Sequence, residues 1–483
     1  MSATLRARVR VPGLVVAVAA ANLVLVLALE QGGLLKPMMV ALLPLALILV
    51  GILFSSHREL LVFAGLTLPM TFDALGDKKI ALGGGLSLFS ADIIVLLAFV
   101  PWLASRMVGR RDLAPPVLRT PVLGLPLVLF AAALLQATLR GHFNFGQSLI
   151  SQPIRMIVYS LIATALVGLD VRRAYRGIVT VFYVGMVYVF FYSLYLIAAG
   201  RSLTGQTEIS TGGSRVLSGT ISQASASAFI LALLSLRLDT SARRRMLHLV
   251  MALVAGANIA LSFQRTTEFA LAVILPLLFV TVRRIAGSFA MMIPLALPFL
   301  AVVAIFLPSV APQLAPQFIT RITETNGDDR SLQQRERLSS LQWDQARTSP
   351  LTGVGFGQTL QVHVPFVTST GYTNYRREEA GQEGHNSYFW LLAAGGFTLL
   401  GSFLLIIGTY AVDTCRRLMS ARDEHERVLL MWCGISLFVL LVNAATSPAL
   451  GKERTLLAIW TLLLLPSIVP HRPRLRRGRP GTP

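Results

Sequence analysis

Apolar runs of bilayer-spanning length follow one another along almost the whole chain, and that succession leaves few folds open to it. A helix needs roughly 17 to 25 residues to cross a bilayer, and about 14 runs approach that length. They cover 13–29, 36–54, 60–72, 91–105, 120–138, 149–169, 175–199, 216–236, 246–262, 266–282, 287–307, 387–410, 428–446 and 454–469, the third being short. Hydrophobic residues make up 54% of the sequence and charged ones 14%, far from the balance of a soluble domain. The expected class is an all-α polytopic integral membrane protein with about 14 transmembrane helices.

A net charge of +20 would suggest nucleic acid as the partner of a soluble protein, but here most arginines occupy short breaks between apolar runs. There they report topology. With the N-terminus inside, the inside segments collect about 26 cations against about 9 in the short segments of the other side, a contrast that other parities do not match. Both termini are then cytoplasmic, the bilayer surrounds the chain, and no nucleic acid is expected. The basic Arg6-Ala-Arg-Val-Arg10 imitates a signal-peptide start, yet the many later spans favour a retained anchor. Cys415 and Cys433 offer neither a disulfide framework nor metal-ligand spacing.

The same parity puts one long polar excursion, 308–385, outside. A stretch of that length without its own span is usually functional. Within it, 331–347 reads as an amphipathic helix with Leu332, Leu338, Leu341 and Trp343 towards one side, stopped by Pro350. Gly353-Val-Gly-Phe-Gly357 follows no strand, so it reads as a tight turn rather than a nucleotide loop. The inner loops are short and basic and carry no Walker pattern, which argues against nucleotide chemistry on that face.

Four residues are candidates for chemistry. Arg215 stands at the mouth of a span rich in small and hydroxylated residues, and Arg265 at the turn between two spans. Guanidinium forks match phosphate oxygens bidentately; the alternative is that both arginines snorkel to lipid headgroups. His385 stands where the loop re-enters the membrane, where imidazole suits a general base; alternatively the stretch only starts a helix, capped by Asn386 or Ser387. Arg155 lies about seven residues inside an apolar run, where a charge needs a partner, either a lipid phosphate or a carboxylate. Glu268, one turn after Arg265, is a possible structural partner for an arginine. His142, His363, Asp328, Asp329 and Asp344 lack metal-ligand spacing, and no metal or cofactor is expected.

Pro350-Leu-Thr-Gly-Val-Gly-Phe-Gly357 and His385-Asn-Ser-Tyr-Phe-Trp-Leu-Leu-Ala-Ala-Gly-Gly-Phe397 together resemble the signature of the O-antigen ligase and Wzy-type polymerase superfamily. Arg215-Val-Leu-Ser-Gly219 resembles that family's Arg-x-x-Gly element. Ser262-Phe-Gln-Arg265 resembles its Ser-x-Ser-Arg element, with Gln264 in place of the second serine. The resemblance spans 215–411 and implies an enzyme of the bacterial cytoplasmic membrane. Its donor would be a glycan on an undecaprenyl-diphosphate-type lipid, and its acceptor a glycan or another envelope molecule. His385 would take the proton of the attacking hydroxyl, while Arg215 and Arg265, with Arg155 as a third contact, would hold the diphosphate. Direct displacement implies inversion, and the activated leaving group removes the need for metal or nucleotide.

On this reading the chain divides into N-terminal spans (1–200), a catalytic core with the outer loop (201–411), C-terminal spans (412–470) and a basic cytoplasmic tail (471–483). A transporter or flippase of lipid-linked saccharides is the alternative. It would favour internal repeats and ionisable groups near the midplane, whereas here the notable charges gather at outer ends.

Overall fold

The structure, a computed structural model, describes residues 59–70, 80–83, 86–107, 120–141, 151–198, 217–262, 264–281, 330–357, 359–368, 371–380, 386–447 and 449–470. The expected spans 13–29, 36–54 and 287–307, and the tail 471–483, lie outside these residues. Every other apolar run forms helix where the sequence places it. In chain order these are α1 (Glu59–Thr67), α2 (Ser90–Met107), α3 (Leu125–Arg140), α4 (Ser151–Val158), α5 (Val171–Ala198), α6 (Gly219–Ser235), α7 (Ala242–Ser262) and α8 (Arg265–Thr281). The polar α9 (Arg330–Thr348) precedes α10 (Ser387–Ser420), α11 (Glu424–Ala444) and α12 (Glu453–Leu464). α4 runs on as a 3₁₀ helix, Tyr159–Leu166, and α12 as another, Leu465–Ile468.

Two antiparallel hairpins accompany the helices. β1 (Ile80–Gly83) pairs with β2 (Leu86–Leu88), and in the outer loop β3 (Thr359–Thr368) pairs with β4 (Gly371–Ala380) from Thr359↔Ala380 to Thr368↔Gly371.

Among the described residues, five helices are long and apolar enough to cross a membrane: Pro121–Arg140, Val171–Leu196, Ala242–Ser262, Ser387–Ser420 and Glu424–Ala444. Their outward surface is apolar, with Leu125, Leu135 and Leu139 on α3 and Val184, Tyr188 and Phe191 on α5 all exposed. A water-facing surface of that kind would be an aggregation hazard, whereas against lipid it costs nothing. This is a membrane protein.

α6 forms the middle of the packing. Every residue from Thr220 to Ser235 is buried, as expected of a helix apolar on all sides, and its alanines and serines let α7 and α11 approach closely. Ser225, Ser227 and Ser235 hydroxyls donate to carbonyls four residues back, so none needs water. The Trp432 indole of α11 donates to Ser227 O at 2.9 Å.

Polar contacts collect at helix ends and sort into two sets. One set joins the starts of α1, α5, α7 and α11 and the end of α6, through Arg173–Glu59, Arg172–Asp423 and Arg237–Glu424 pairs and the Asp239–His248 contact. The other ties the end of α3 and the starts of α2, α8, α10 and α12.

In the first set, burial alone would raise the Asp423 carboxyl. Hydrogen bonds from the side chain and backbone of His425 and from Arg172 outweigh burial and hold it at about 2. Asp239 is likewise lowered: burial raises it, but bonds from His248 and Arg244 prevail. An ionised Asp239 can only accept, so His248 Nε2 donates to it (2.8 Å), and Nδ1 shares a hydrogen bond with the Tyr183 hydroxyl (2.6 Å). Replacing His248 with alanine removes one hydrogen bond from each of two groups, Asp239 and Tyr183, and a loss of about 1–3 kcal/mol is expected. Thermal unfolding of the purified protein in detergent measures it, and an unchanged midpoint would show that the chain of bonds contributes nothing.

Candidate active site

The site is built on the first residues of α10. Asn386 caps this helix, its side chain accepting from the backbone N–H groups of Tyr388 (3.0 Å) and Phe389 (3.2 Å). Ser387 Oγ donates to Ser447 O (2.9 Å) and accepts from Leu450 N–H (3.2 Å), while the Tyr388 hydroxyl donates to Leu441 O (2.8 Å). Trp390 packs on Phe356, ring centroids 5.4 Å apart, and Phe389 on Trp343 at 6.0 Å. The capping expected of Asn386 or Ser387 thus falls to Asn386. His385, the residue before it, lies outside the described residues, as does Arg215.

Arg265 is the first residue of α8 and is exposed. Its neighbours fix the helix start: Gln264 Nε2 donates to Asn443 Oδ1 (2.9 Å), the Thr267 hydroxyl to Gln264 Oε1 (3.1 Å), and Thr266 meets Thr446 at 2.8 Å. Asn443 and Thr446 belong to the end of α11, the same segment that holds Ser387 through Ser447. The start of α6 joins them, because a side chain at Gly219 would lie 2.9 Å from Gln264 Nε2. Three helix N-termini therefore converge on the end of α11: the one shortly after Arg215, the one bearing Arg265 and the one just after His385.

Arg155 does not share this arrangement. It is buried, and Nε and Nη2 donate to Asp92 at 2.9–3.1 Å while Nη1 reaches Glu453 at 3.3 Å. The Tyr159 hydroxyl also donates to Asp92 (2.8 Å), and the guanidinium lies 4.6 Å from the Phe89 ring centroid. Of the two partners the sequence allowed, carboxylates are the observed ones. Through these two carboxylates Arg155 ties α2, α4 and α12 together.

The glycine turn has a specific mechanical role. At Gly396 (φ 64°, ψ −163°) the helical path of α10 is broken, which frees the carbonyls of Ala393 and Ala394 and the N–H groups of Phe397 and Thr398. The turn supplies partners for all four. Val354 N–H and Gly355 N–H donate to Ala393 O and Ala394 O (both 2.9 Å), while Pro350 O and Leu351 O accept from Phe397 (2.8 Å) and Thr398 (3.1 Å). Such close approach requires glycine. Gly353 has φ +64°, and a Cβ there would lie 2.3 Å from Ala394 O; one at Gly396 would lie 2.4 Å from the Leu351 carbonyl carbon.

Outside the turn, α9 buries Leu338, Gln342 and Ala346 and leaves Trp343 exposed. Its inward row is thus i, i+4, i+8, with glutamine where the apolar pattern pointed to Leu341 and Trp343.

Arg140, the last residue of α3, went unremarked in the sequence. It donates to Ser349 Oγ (3.2 Å), to Thr352 Oγ1 and to Gly353 O (3.1 Å). The available signal was its position: it is a cation at an end that the charge count places outside, where the positive-inside bias disfavours one.

Residues 249–405 match the family model for O-antigen ligase. The resemblance read from the motifs is borne out over this segment, which holds Arg265, the outer loop, His385 and the helix break. It is narrower than 215–411, and Arg140, Arg155 and Arg215 precede it. No curated protein matches the chain. Over this segment, about a third of the chain, the sequence is similar to the O-antigen ligases, and that similarity suggests a membrane glycan-transferring enzyme.

Proposed function

We propose that this protein transfers a glycan from a polyprenyl-diphosphate lipid to an acceptor hydroxyl at the outer face of the bacterial cytoplasmic membrane, as a polysaccharide polymerase or ligase. The observation that carries this reading is the convergence of the starts of α6, α8 and α10 on the end of α11. Helix N-termini carry partial positive charge and so favour phosphate, although on α10 the Tyr388 and Phe389 N–H groups are already taken by the Asn386 side chain. Arg265, on one of these starts, and Arg215, four residues before another, supply the guanidinium groups for a diphosphate.

His385, two residues before the third in sequence, takes the proton of the acceptor hydroxyl as its oxygen bonds to the anomeric carbon. The bond from that carbon to the diphosphate oxygen breaks with inversion, and the lipid diphosphate leaves with its charge stabilised by the arginines and helix starts. The full chain crosses the membrane about 14 times with both termini inside, a count that rests on run lengths and the arginine asymmetry.

The test is turnover of diphosphate-linked oligosaccharide lipid by the purified full chain in proteoliposomes, without nucleotide or added metal. Arg215→Lys and Arg265→Lys each keep a charge but lose the planar fork, so donor affinity is expected to fall about tenfold in each. Unchanged donor affinity in both variants would remove the arginines from the site. A ladder of product lengths would mark a polymerase, and a single addition a ligase.

A further inference from the structure

We infer that Arg140 is a positioning residue for this reaction: by locking the Ser349–Gly357 turn against the break in α10, it sets the direction of the nine-residue segment 387–395 that follows His385. The inference rests on the proposed role of His385 and adds a residue outside the O-antigen ligase segment, on a helix more than two hundred positions earlier in the chain.

The break at Gly396 makes 387–395 a separate piece of helix, joined to the rest of α10 by one non-helical residue. Its orientation is therefore not inherited from the long helix. It is fixed where the turn is inserted, because the turn replaces two intrahelical bonds with four of its own. Within a bilayer, unmade main-chain bonds are costly, so the break and the turn stand or fall together.

The turn is in turn seated on α3. Phe356 N–H donates to Ala137 O (3.1 Å), and a Cβ at Gly141 would lie 2.1 Å from Phe356 O. Those contacts hold the far end of the turn. Its near end is held by Arg140, which gathers Ser349, Thr352 and the Gly353 carbonyl with one guanidinium. All three acceptors are uncharged oxygens, so the side chain is committed to the shape of the turn rather than to neutralising an acid. Gly353 both accepts from Arg140 and abuts the Ala394 carbonyl, so the guanidinium is one residue removed from the break itself.

The experiment compares wild type, Arg140→Ala, Arg140→Lys and the double variant Ser349→Ala/Thr352→Val in proteoliposomes. It follows kcat and donor KM together with peptide-resolved hydrogen exchange. A displacement of the reacting group by about 1 Å can reduce rate 10²-fold. In Arg140→Ala, kcat is expected to fall about tenfold or more with donor KM unchanged, and amides in 350–357 and 393–398 to exchange faster. Lysine, which reaches part of the acceptor set, is expected to restore part of kcat. The double variant keeps the arginine and removes two of its acceptors, so it carries the test if Arg140→Ala does not fold.

Unchanged exchange in those peptides, or a kcat equal to wild type, would overturn the inference, as would a loss confined to KM. His385→Ala measured alongside keeps the two readings apart. Retained turnover there overturns the assignment of the base, whereas unaltered exchange in Arg140→Ala overturns the lock.

Discussion

His385→Ala is expected to reduce turnover of the lipid-linked donor by about 10²–10⁴-fold, the usual contribution of a positioned general base. Donor binding should persist, because the proposed contacts to the diphosphate, Arg215, Arg265 and the helix starts, are kept in this variant. The expectation follows from the frame that precedes α10. Asn386, next in sequence, is pinned as a cap, Ser387 is bonded to both Ser447 and Leu450, and Tyr388 reaches α11. These bonds fix the start of α10, the element to which the proposed base is joined. An imidazole base also predicts a rate that rises across roughly pH 5–8 as the ring loses its proton. In the alanine variant that slope should vanish. Full turnover in His385→Ala, or an unaltered pH profile, would rule the base out.

Much of the architecture was legible because membrane helices are specified by local quantities. Length and hydropathy alone locate α1 to α8 and α10 to α12, and α9 ends at Thr348, two residues before the expected stop at Pro350. The tight turn at 353–357 was equally readable from its glycines, and Gly353, Gly355 and Gly357 all take positive φ. What the turn does was not readable. Its partners lie about forty residues on, at Ala393 to Thr398, and a break in an apolar helix leaves no mark beyond Gly395-Gly396.

Candidate residues divide along the same line. Asn386 as a cap depends on its neighbours in sequence and was foreseen as one of two choices. Arg155 depends on Asp92 and Glu453, 63 and 298 positions away, and no spacing rule reaches that far. On α9, Gln342 holds a place that an apolar side chain would be expected to fill, because the row facing α10 is set by how the two helices cross rather than by composition.

Arg155 carries the second large effect. Its side chain is 7% exposed, and those of its partners Asp92 and Glu453 are 11% and 19% exposed. Removing one member of a buried ion set strands the others, at a cost of about 3–5 kcal/mol. Arg155→Ala leaves two carboxylates facing each other across the vacated space, with Tyr159 and the Phe89 N–H donating to Asp92 but no cation beside it among the contacts described above. A loss in that range is expected in thermal or denaturant unfolding in detergent.

Arg155→Met combined with Asp92→Leu and Glu453→Leu removes the charges together. It should recover most of the stability, since apolar replacement of a whole buried set is often neutral. The same variants separate a structural arginine from one that binds phosphate. For a tie between α2, α4 and α12, stability falls in the single variant and donor KM stays constant in whatever protein remains folded. If the triple variant regains its stability but loses donor affinity, the guanidinium was serving the lipid diphosphate as well as the two carboxylates.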